Sequence, residues 1–527
     1  MSRPARTLGV ACLVATTVVV AAACGGGEPV VTTTQCVPRE SKPCTGLGPC
    51  SGQQVCGSNG EFGACICGDA SVIEDAGPPD VGGEAGADAI ADVVVDQGLD
   101  VTVDVGVDAP PFDAGVFDGG PTHWSRAFAP EGASYSVVVD SNQNIIVGGG
   151  GTGLGDGIAK LNAKGAPQWQ KTISSVAQVA LDSTGAVYAA GGKGSTSIDF
   201  GNGPVSAPGA FLVKYDANGV FQWLHGPFAN ALFNDVAVKS NGNVVVVGEF
   251  YGAADFGGGT VNPVGGHDAT LIELTTSKTF VRHKQYGVDG YSLFKTIAID
   301  SSDNMFIAGS FDGTSISFGG PSIPSPVPGN ALDVFVVKLN ASAGYVTQND
   351  GKARYNDYLM DMALDPTGRP YITGVVSTQI QFGSSPVIAW GGGPNVYVAL
   401  LDGSLNEVWA KRFGSGGNIA YGIAADPGGG AVITGYTNGT LYFGLPGMPT
   451  VEGTYVTRFD AAGNVVSNQG FTVANGGGVT GFGIRHVTGS DYVMVGNCVG
   501  GLLGFPSGPL PCSFTNNGNG FAVRLAP

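Results

Sequence analysis

The chain has 527 residues, of which 89 are glycine and 13% are charged, and its formal net charge is −18. An acidic chain without a basic stripe argues against binding to nucleic acid through phosphate neutralisation. Many glycines and few charges fit a chain with many turns and short strands.

The amino terminus has the features of an export signal. Arg3 and Arg6 precede an apolar run at 8–20, and three alanines then lead to Cys24. The run is too short to cross a membrane comfortably, so we predict a cleaved signal peptide over 1–23. The AAAC sequence resembles the lipobox of bacterial lipoproteins. This resemblance implies a lipid on Cys24, a flexible tether over 24–35, and membrane contact through the lipid anchor only. The alternative is an ordinary secretory signal that leaves Cys24 free for a disulfide.

A cysteine-rich segment follows at 36–67. It has few apolar side chains, so it cannot form a core unaided, and an exported chain meets an oxidising compartment. We therefore predict a small disulfide module whose pairing the sequence leaves open. A zinc site is the alternative, but no histidine lies nearby. The cysteines predicted to form disulfides are Cys36, Cys44, Cys50, Cys56, Cys65 and Cys67, with Cys498 and Cys512 near the end of the chain.

The segment 68–121 is predicted to be a disordered acidic linker. It contains 13 Asp or Glu residues and no Lys or Arg, and an Asp recurs at every fourth position from Asp88 to Asp108. On a helix these like charges would lie on one face and destabilise it, so an extended, self-repelling tether is favoured. Calcium binding is the alternative, but the loop pattern with alternate Asp, Gly and a distal Glu is missing.

From residue 122 to residue 527 the chain repeats one unit, which is clearest at 179–223. Four apolar runs, named strands A to D, alternate with turns. Asp182–Gly185 joins A to B, and Asp216–Gly219 joins C to D. Asp accepts a backbone hydrogen bond in such turns and Gly adopts positive φ, so both joints are predicted to be hairpins. A repeat of this length made of four short strands is typical of a β-propeller blade.

Seven copies of the unit can be aligned. The seventh copy ends after strand C, and the segment around Trp124 matches a strand D. We therefore predict that the strand around Trp124 pairs with the strand around Val523 and closes the ring. The A–B turn begins at Asp140, Asp182, Lys239, Asp300, Asp365, Asp426 and His486. A glycine closes strand B at Gly148, Gly191, Gly248, Gly309, Gly374, Gly435 and Gly496.

The pieces DSxGNVYVxG, DFG and FxxKxDxxGxxxW resemble the SBBP repeat family of bacterial surface and secreted proteins. The resemblance covers roughly 122–527 and implies an all-β fold: a seven-bladed β-propeller of four-stranded antiparallel blades. It leaves the activity open, because folds of this kind carry unrelated functions.

Several motifs in the repeats suggest chemistry, but the register favours packing. The GxGxxG at 148–153 is followed by a predicted strand C and not by a helix, which disfavours a nucleotide site. The DFG at 199–201 recurs with only Phe and Gly kept, so we interpret it as a packing motif. The strand D tryptophans and the strand C lysines each share one register. We interpret them as packing or ion pairing between blades, with sugar platforms and an anion site as the alternatives. We expect no cofactor.

The B–C connections are long and differ between copies, and variable loops on one face of a repeat scaffold often carry binding. We predict that residues such as His267, Asp333 and Trp390 meet the partner. The whole chain is then expected to be a monomeric lipoprotein at the outer membrane or cell surface, whose propeller binds an unknown protein or glycan or serves as a scaffold. The alternative is an extracellular lyase or hydrolase with its site in the propeller channel, although no catalytic set can be assembled from the sequence.

Overall fold

A computed structural model describes residues 41–45, 51–55, 66–67, 117–118, 123–128 and 132–526. The last range has gaps at 151–156, 174–175, 193–196, 207–208, 326–331, 353–356, 385–386, 389–393, 415, 445–450 and 515–517. The chain divides into two compact units, Met1–Val103 and Asp104–Pro527. The predicted signal peptide, the lipid site at Cys24 and the tether lie outside the described residues.

The first unit contains one antiparallel sheet. Its strands are β1 (Ser41–Thr45), β2 (Ser51–Val55) and β3 (Ile66–Cys67), in the order β1-β2-β3. Cys44 and Cys67 are register partners of the same residue, Gly52, from its two sides. The disulfides predicted for this segment stay a prediction, because its cysteine side chains lie outside the described part of the chain.

The second unit contains seven sheets arranged as blades, and each blade has four antiparallel strands, A to D, to which the seventh blade adds a short fifth strand. The first blade is β6 (Ala133–Val139), β7 (Ile145–Gly150), β8 (Gly157–Leu161) and β9 (Pro167–Thr172). The second is β10 (Val176–Leu181), β11 (Val187–Gly191), β14 (Ala210–Tyr215) and β15 (Phe221–Phe228). The third is β16 (Ala231–Val238), β17 (Val244–Phe250), β20 (Asp268–Leu274) and β21 (Phe280–Tyr286). The fourth is β22 (Ser292–Ile299), β23 (Met305–Phe311), β26 (Asp333–Leu339) and β27 (Tyr345–Asp350).

The remaining blades follow the same order. The fifth is β28 (Tyr358–Leu364), β29 (Pro370–Val376), β32 (Asn395–Leu401) and β33 (Glu407–Phe413). The sixth is β34 (Asn418–Ala425), β35 (Ala431–Leu441), β36 (Val451–Phe459) and β37 (Val465–Phe471). The seventh combines β38 (Gly478–Thr488), β39 (Asp491–Val499) and β42 (Asn519–Leu525) with β5 (Trp124–Phe128) from the start of the unit. One short 3-10 helix, Ala474–Gly476, precedes β38. The seven-bladed propeller predicted from the repeats is confirmed.

The ring closes as predicted. Strand β5 pairs antiparallel with β42, so that Ser125 lies opposite Val523 and Trp124 opposite Arg524. The A strands also form a closed circuit, because each contacts the A strand of the next blade and β38 contacts β6. Closure satisfies the backbone groups that an open sheet edge would expose.

The seventh blade has one strand more than predicted. Strand β4 (Phe117–Asp118) pairs with the outer side of β5, so that Asp118 lies opposite Trp124. Phe117 and Asp118 fall within the predicted linker 68–121, and the rest of that linker lies outside the described residues. The physical reason is that β5 is an outer strand, and a short neighbour covers part of its free backbone edge.

The hydrophobic core lies between blades. The described residues form seven clusters of buried apolar side chains, one for each pair of neighbouring blades, including the pair formed by the seventh and the first. A single blade is too thin to bury both of its faces, so each blade is stabilised by its neighbours.

The sequence specifies the hairpin turns through side chains that accept backbone hydrogen bonds. The Asp182 carboxylate accepts from the amides of Thr184 and Ala186, at 2.9 and 3.1 Å. Asp216 does the same in the C–D turn of this blade. These short turns lie at one end of the ring, and the B–C and D–A connections lie at the other end.

Candidate functional site

Each blade carries one inserted residue in strand A. The pairing of strand A with strand B shifts by one residue at the same place in every blade, which is a β-bulge. A bulge changes the direction of its side chain, and here all of these side chains line one cavity in the central channel. The seven inserted residues are Tyr135, Ala177, Asn234, Lys295, Met360, Tyr421 and Phe482. We call them the bulge ring.

The bulges explain the glycine that closes strand B. A Cβ at Gly248 would lie 2.0 Å from the carbonyl oxygen of Leu232, two residues before the inserted Asn234. The same 2.0 Å approach to the equivalent carbonyl recurs at Gly309, Gly374, Gly435 and Gly496. Only glycine leaves room for the bulged strand, so the glycine pattern in the sequence is also a signal for the bulge ring. In the first blade the equivalent glycine is Gly149 and not Gly148.

The cavity lies at the B–C end of the channel. The bulge falls in the first half of strand A, and the lining also includes Gly150 and Gly192 at the end of strand B. Its volume is about 630 Å³, and side chains of all seven blades contribute to it. This volume falls in the range of roughly 300–1,000 Å³ that is usual for ligand pockets.

One side of the bulge ring is aromatic. Phe482 of the seventh blade lies between Tyr135 of the first and Tyr421 of the sixth, with ring centroids 5.1 Å apart in both pairs. The rings meet at 56° and 64° and form a wedge, an arrangement that aromatic pairs favour. Tyr135 is 41% exposed, and burial raises the pKa of Tyr421. The wedge therefore presents apolar ring faces and phenol groups to the cavity.

The other side of the bulge ring is mixed, with two polar and two apolar side chains. The third and fourth blades contribute Asn234 and Lys295, and the fifth contributes Met360. The Asn234 amide donates to the carbonyl oxygen of Phe294 at 2.9 Å. Lys295 is exposed, and no hydrogen bond or ion pair holds its ammonium group among the residues that the structure describes. The ring thus has different chemistry on its two sides.

The residue after the inserted one ties neighbouring blades together. In the third blade, Asp235 Oδ2 accepts from the amide of Ile297 at 2.8 Å and from the hydroxyl of Thr296 at 2.9 Å. In the fifth, Asp361 Oδ2 accepts from the amide of Ile423 at 3.0 Å. Ser136 plays this part in the first blade. These hydrogen bonds connect the strands A of neighbouring blades, which form the wall of the channel.

The carboxylates of Asp235 and Asp361 are the acidic groups of this wall that could take part in chemistry in the channel. Burial, with a contribution from the charge of Asp361, raises the pKa of Asp235 to about 6. Arg485 lies 3.5 Å from Asp361 and donates to the carbonyl oxygen of Ile423 at 3.1 Å. The Asp235 oxygens accept hydrogen bonds from Val236, Thr296 and Ile297. Both carboxylates are therefore engaged in fixing the blades.

The three residues predicted for the binding face have different environments. The His267 ring lies between Tyr251 and Tyr291, at 4.9 and 4.6 Å, and its Nδ1 is 3.0 Å from Glu249. His267 is at the B–C end, as expected. Asp333 is only 3% exposed, and burial raises its pKa to about 6, so it lies beneath the surface of this face. Trp390 lies outside the described residues.

Most of the B–C connections contain regular secondary structure. In five blades the connection forms a short two-stranded hairpin. In four of these hairpins, the Phe-Gly pair of the DFG motif or its variants lies between the two strands. Asp199 accepts from the amide of Gly201 at 2.7 Å, and Phe200 is buried in the core between the first and second blades. The packing interpretation of DFG is confirmed. The hairpins are β12 (Ile198–Asp199) with β13 (Pro204–Val205), β18 (Ala254–Asp255) with β19 (Thr260–Val261), β24 (Ser315–Ile316) with β25 (Ile323–Pro324), β30 (Gln379–Ile380) with β31 (Val387–Ile388), and β40 (Gly501–Phe505) with β41 (Gly508–Cys512).

Strand C cations and strand D tryptophans connect blades at the opposite end. Lys214 lies 3.4 Å from Asp182 in its own blade and donates to the Thr276 hydroxyl of the next blade. The Trp223 indole donates to the Thr276 carbonyl at 3.0 Å. The interpretation as packing and pairing between blades is therefore confirmed.

The cysteine pair predicted in the last blade is present. Cys498 and Cys512 form a disulfide with a Cα–Cα distance of 5.4 Å, and it joins the end of strand B to the B–C hairpin. Among the described residues, no cluster of three or more His, Cys, Asp or Glu could hold a metal ion. No helix in this part of the chain is long and apolar enough to span a bilayer.

Comparison with solved structures finds the following similarities. The Neurospora crassa Pan2 WD40 domain matches 75% of this chain and 90% of its own length, with 11% identity and a TM-score of 0.42. The WD40 β-propeller domain of Doa1 matches 77% of this chain and 97% of its own length, with 8% identity and a TM-score of 0.38. A PL25 ulvan lyase structure matches 70% and 92%, with 12% identity and a TM-score of 0.38.

No protein-family model matches the chain, and no curated protein matches it. The resemblance to the SBBP repeat family therefore stays a prediction, while the fold is that of a seven-bladed β-propeller.

Proposed function

We propose that this propeller is a binding module whose ligand enters the central channel from the B–C end. The observation that carries the proposal is the bulge ring. Seven equivalent positions of a repeated strand line one cavity, yet three neighbouring side chains are aromatic while two on the other side, Asn234 and Lys295, are polar. A concave cavity with aromatic walls and a few polar groups is the usual form of a ligand site.

The surroundings of the ring support the same function. The groups next to the ring are fixed by hydrogen bonds between blades, as at Ser136, Asp235 and Asp361. A site held by a rigid wall needs little reorganisation when a ligand binds. The half-exposed aromatic wedge also leaves apolar surface that a ligand would cover.

We also propose that the protein is displayed at the cell envelope as a lipoprotein, with the lipid on Cys24. The support is the sequence of the first 24 residues, in which the apolar run and three alanines precede this cysteine. Mass spectrometry of the mature amino terminus tests it. A mature chain that starts at Cys24 and carries diacylglycerol is expected, and a free Cys24 thiol would contradict the proposal.

An enzymatic role for the channel is the second candidate. Asp235 lines the part of the channel toward the A–B turns, and burial raises its pKa to about 6, which is a feature of many catalytic carboxyls. Against this, the Asp235 oxygens already accept hydrogen bonds from the chain. The two candidates differ in one outcome, since only the enzyme would release product from a bound probe.

The binding function can be tested on glycan and protein arrays with the full chain. Phe482→Ala removes the centre of the aromatic wedge, His267→Ala alters the rim, and Val408→Ala is the control on an outer strand, where the side chain is 49% exposed. We expect at least one probe to bind wild type and the control, and to bind Phe482→Ala at least about tenfold more weakly. Circular dichroism confirms that each variant is folded.

Two results would refute the channel as the site. One is a set of bound probes that Phe482→Ala leaves unchanged while His267→Ala weakens them, because the ligand would then contact the rim. The other is the absence of any binding on both arrays.

A further inference from the structure

The cavity lining contains a cation that no carboxylate of the described chain pairs with. Among the residues that the structure describes, the charged side chains in this lining are Lys295, Asp361 and Arg485. Asp361 and Arg485 lie 3.5 Å apart and compensate each other, which leaves the ammonium group of Lys295. The whole chain has a net charge of −18. A single cation in a concave site of an acidic protein selects for a ligand with a negative group at that place.

The groups around this cation are neither purely apolar nor purely polar. Across the bulge ring, Phe482 offers an aromatic face, and the flanking Tyr135 and Tyr421 add phenol hydroxyls. Gln178 and Asn234 add amide groups to the lining. A wholly apolar acid would remove the Tyr421 hydroxyl and the Gln178 amide from water without offering them a hydrogen-bond partner, which is unfavourable. A sugar has an apolar C–H face and a rim of hydroxyls, and it satisfies both kinds of surface.

We propose that the cavity binds an acidic saccharide, that is, a sugar unit that carries a carboxylate. The sugar ring packs against the wedge around Phe482, its hydroxyls meet the amides and phenols, and its carboxylate pairs with Lys295. This ligand class rests on the proposed binding function and specifies it. An ammonium–carboxylate pair forms a charge-assisted hydrogen bond, which is stronger than a hydrogen bond between neutral groups.

Isothermal titration calorimetry with three probes tests the proposal. The probes are tetragalacturonate, its fully methyl-esterified form and phenylacetate. The ester keeps the sugar and removes the charge, and phenylacetate keeps a carboxylate on an apolar ring. The variants are Lys295→Met, Phe482→Ala and the control Lys284→Met. The control makes the same change of charge at an exposed lysine on an outer strand.

We expect wild type and Lys284→Met to bind tetragalacturonate more tightly than the other two probes. Lys295→Met should weaken this binding roughly ten- to a hundredfold, as expected for loss of a charge-assisted hydrogen bond. The same variant should leave the weaker binding of the ester unchanged. Phe482→Ala should weaken both saccharides. Binding of tetragalacturonate to wild type should fall as salt is raised, and this dependence should be reduced in Lys295→Met.

The outcomes separate this proposal from the one on which it rests. Equal binding of the acid and the ester, unaffected by Lys295→Met and weakened by Phe482→Ala, would overturn the acidic class and keep the channel as the site. Preference for phenylacetate over both saccharides would show that the ligand is not a saccharide and would overturn the proposal. Failure of all three probes, with array ligands that remain sensitive to Phe482→Ala, would also overturn this inference alone. Insensitivity of every bound ligand to Phe482→Ala would refute the proposed function as well.

Discussion

Substitution of the glycine that closes strand B should separate the first two strands of a blade. Gly435 of the sixth blade is the most informative position, because the inserted Tyr421 lies beside it. A Cβ at Gly435 would lie 2.0 Å from the carbonyl oxygen of Ile419 and 2.8 Å from the Cα of Ala420. Both are backbone atoms, so the strand itself must move. The pairs Ile419 with Tyr436 and Ala420 with Gly435 would then be distorted.

The cost can be worked out from these contacts. Forcing extra volume into a well-packed site costs typically about 1–3 kcal/mol. Loss of two backbone hydrogen bonds adds about 1 kcal/mol each. Gly435→Ala should therefore lower the free energy of unfolding by roughly 3–5 kcal/mol, a large part of the roughly 5–15 kcal/mol that is usual for a folded protein.

Urea denaturation followed by tryptophan fluorescence measures the effect. Gly504→Ala is the matched control, since a Cβ there meets no atom within 4 Å. We expect its free energy of unfolding to stay within about 0.5 kcal/mol of wild type. If Gly435→Ala proved as stable as Gly504→Ala, close approach would not explain the glycine pattern, and the link between that pattern and the bulge would fail.

Three further predictions concern other parts of the propeller. The raised pKa of Asp235, about 6, means that its folded form favours the protonated carboxyl, so wild type should lose up to about 3 kcal/mol of stability as pH rises from about 4 to about 6. Asp235→Asn should flatten that part of the pH–stability curve, and an unchanged curve would show that another group titrates there. Replacement of both Cys498 and Cys512 by Ala should lower the free energy of unfolding of the propeller by about 3 kcal/mol, and a reductant should no longer change the unfolding of the propeller in this variant. Trp223→Phe keeps a packed ring but removes the 3.0 Å hydrogen bond to Thr276, so denaturation should show a loss of about 0.5–1 kcal/mol; a much larger loss would indicate that packing dominates.

The architecture was predictable because each copy of the repeat contains the residues that form its own turns and strands. Asp182 and Asp216 fix two hairpins by hydrogen bonds within their own turns, and such bonds depend only on neighbours in the sequence. Ring closure was predictable for a different reason. A seventh copy without strand D needs a partner, and the segment around Trp124 was an unmatched strand of the right kind.

The bulge ring was not predicted, because a bulge changes which side chains face the channel without leaving a mark on hydrophobic periodicity. An ideal strand alternates its faces with a period of two, and one inserted residue shifts every side chain after it. The glycine opposite, for example Gly309, was visible in the sequence. Its meaning depends on the distance to the Leu293 carbonyl in the neighbouring strand, and the sequence does not contain that distance. The strand β4 was missed because a two-residue strand carries almost no pattern.

The distribution of side chains over the two ends of the ring suggests how such a scaffold can change its ligand. At the A–B end, Lys214 and Trp223 both reach into the next blade, so a substitution there weakens the ring itself. In the bulge ring the backbone geometry is set by the opposite glycine, and the inserted side chain is free to vary from Ala177 to Phe482 without altering the strand pairing. Stability and recognition therefore depend on different residues of the same strands. Exchange of bulge residues between blades should alter ligand preference while leaving the free energy of unfolding nearly unchanged.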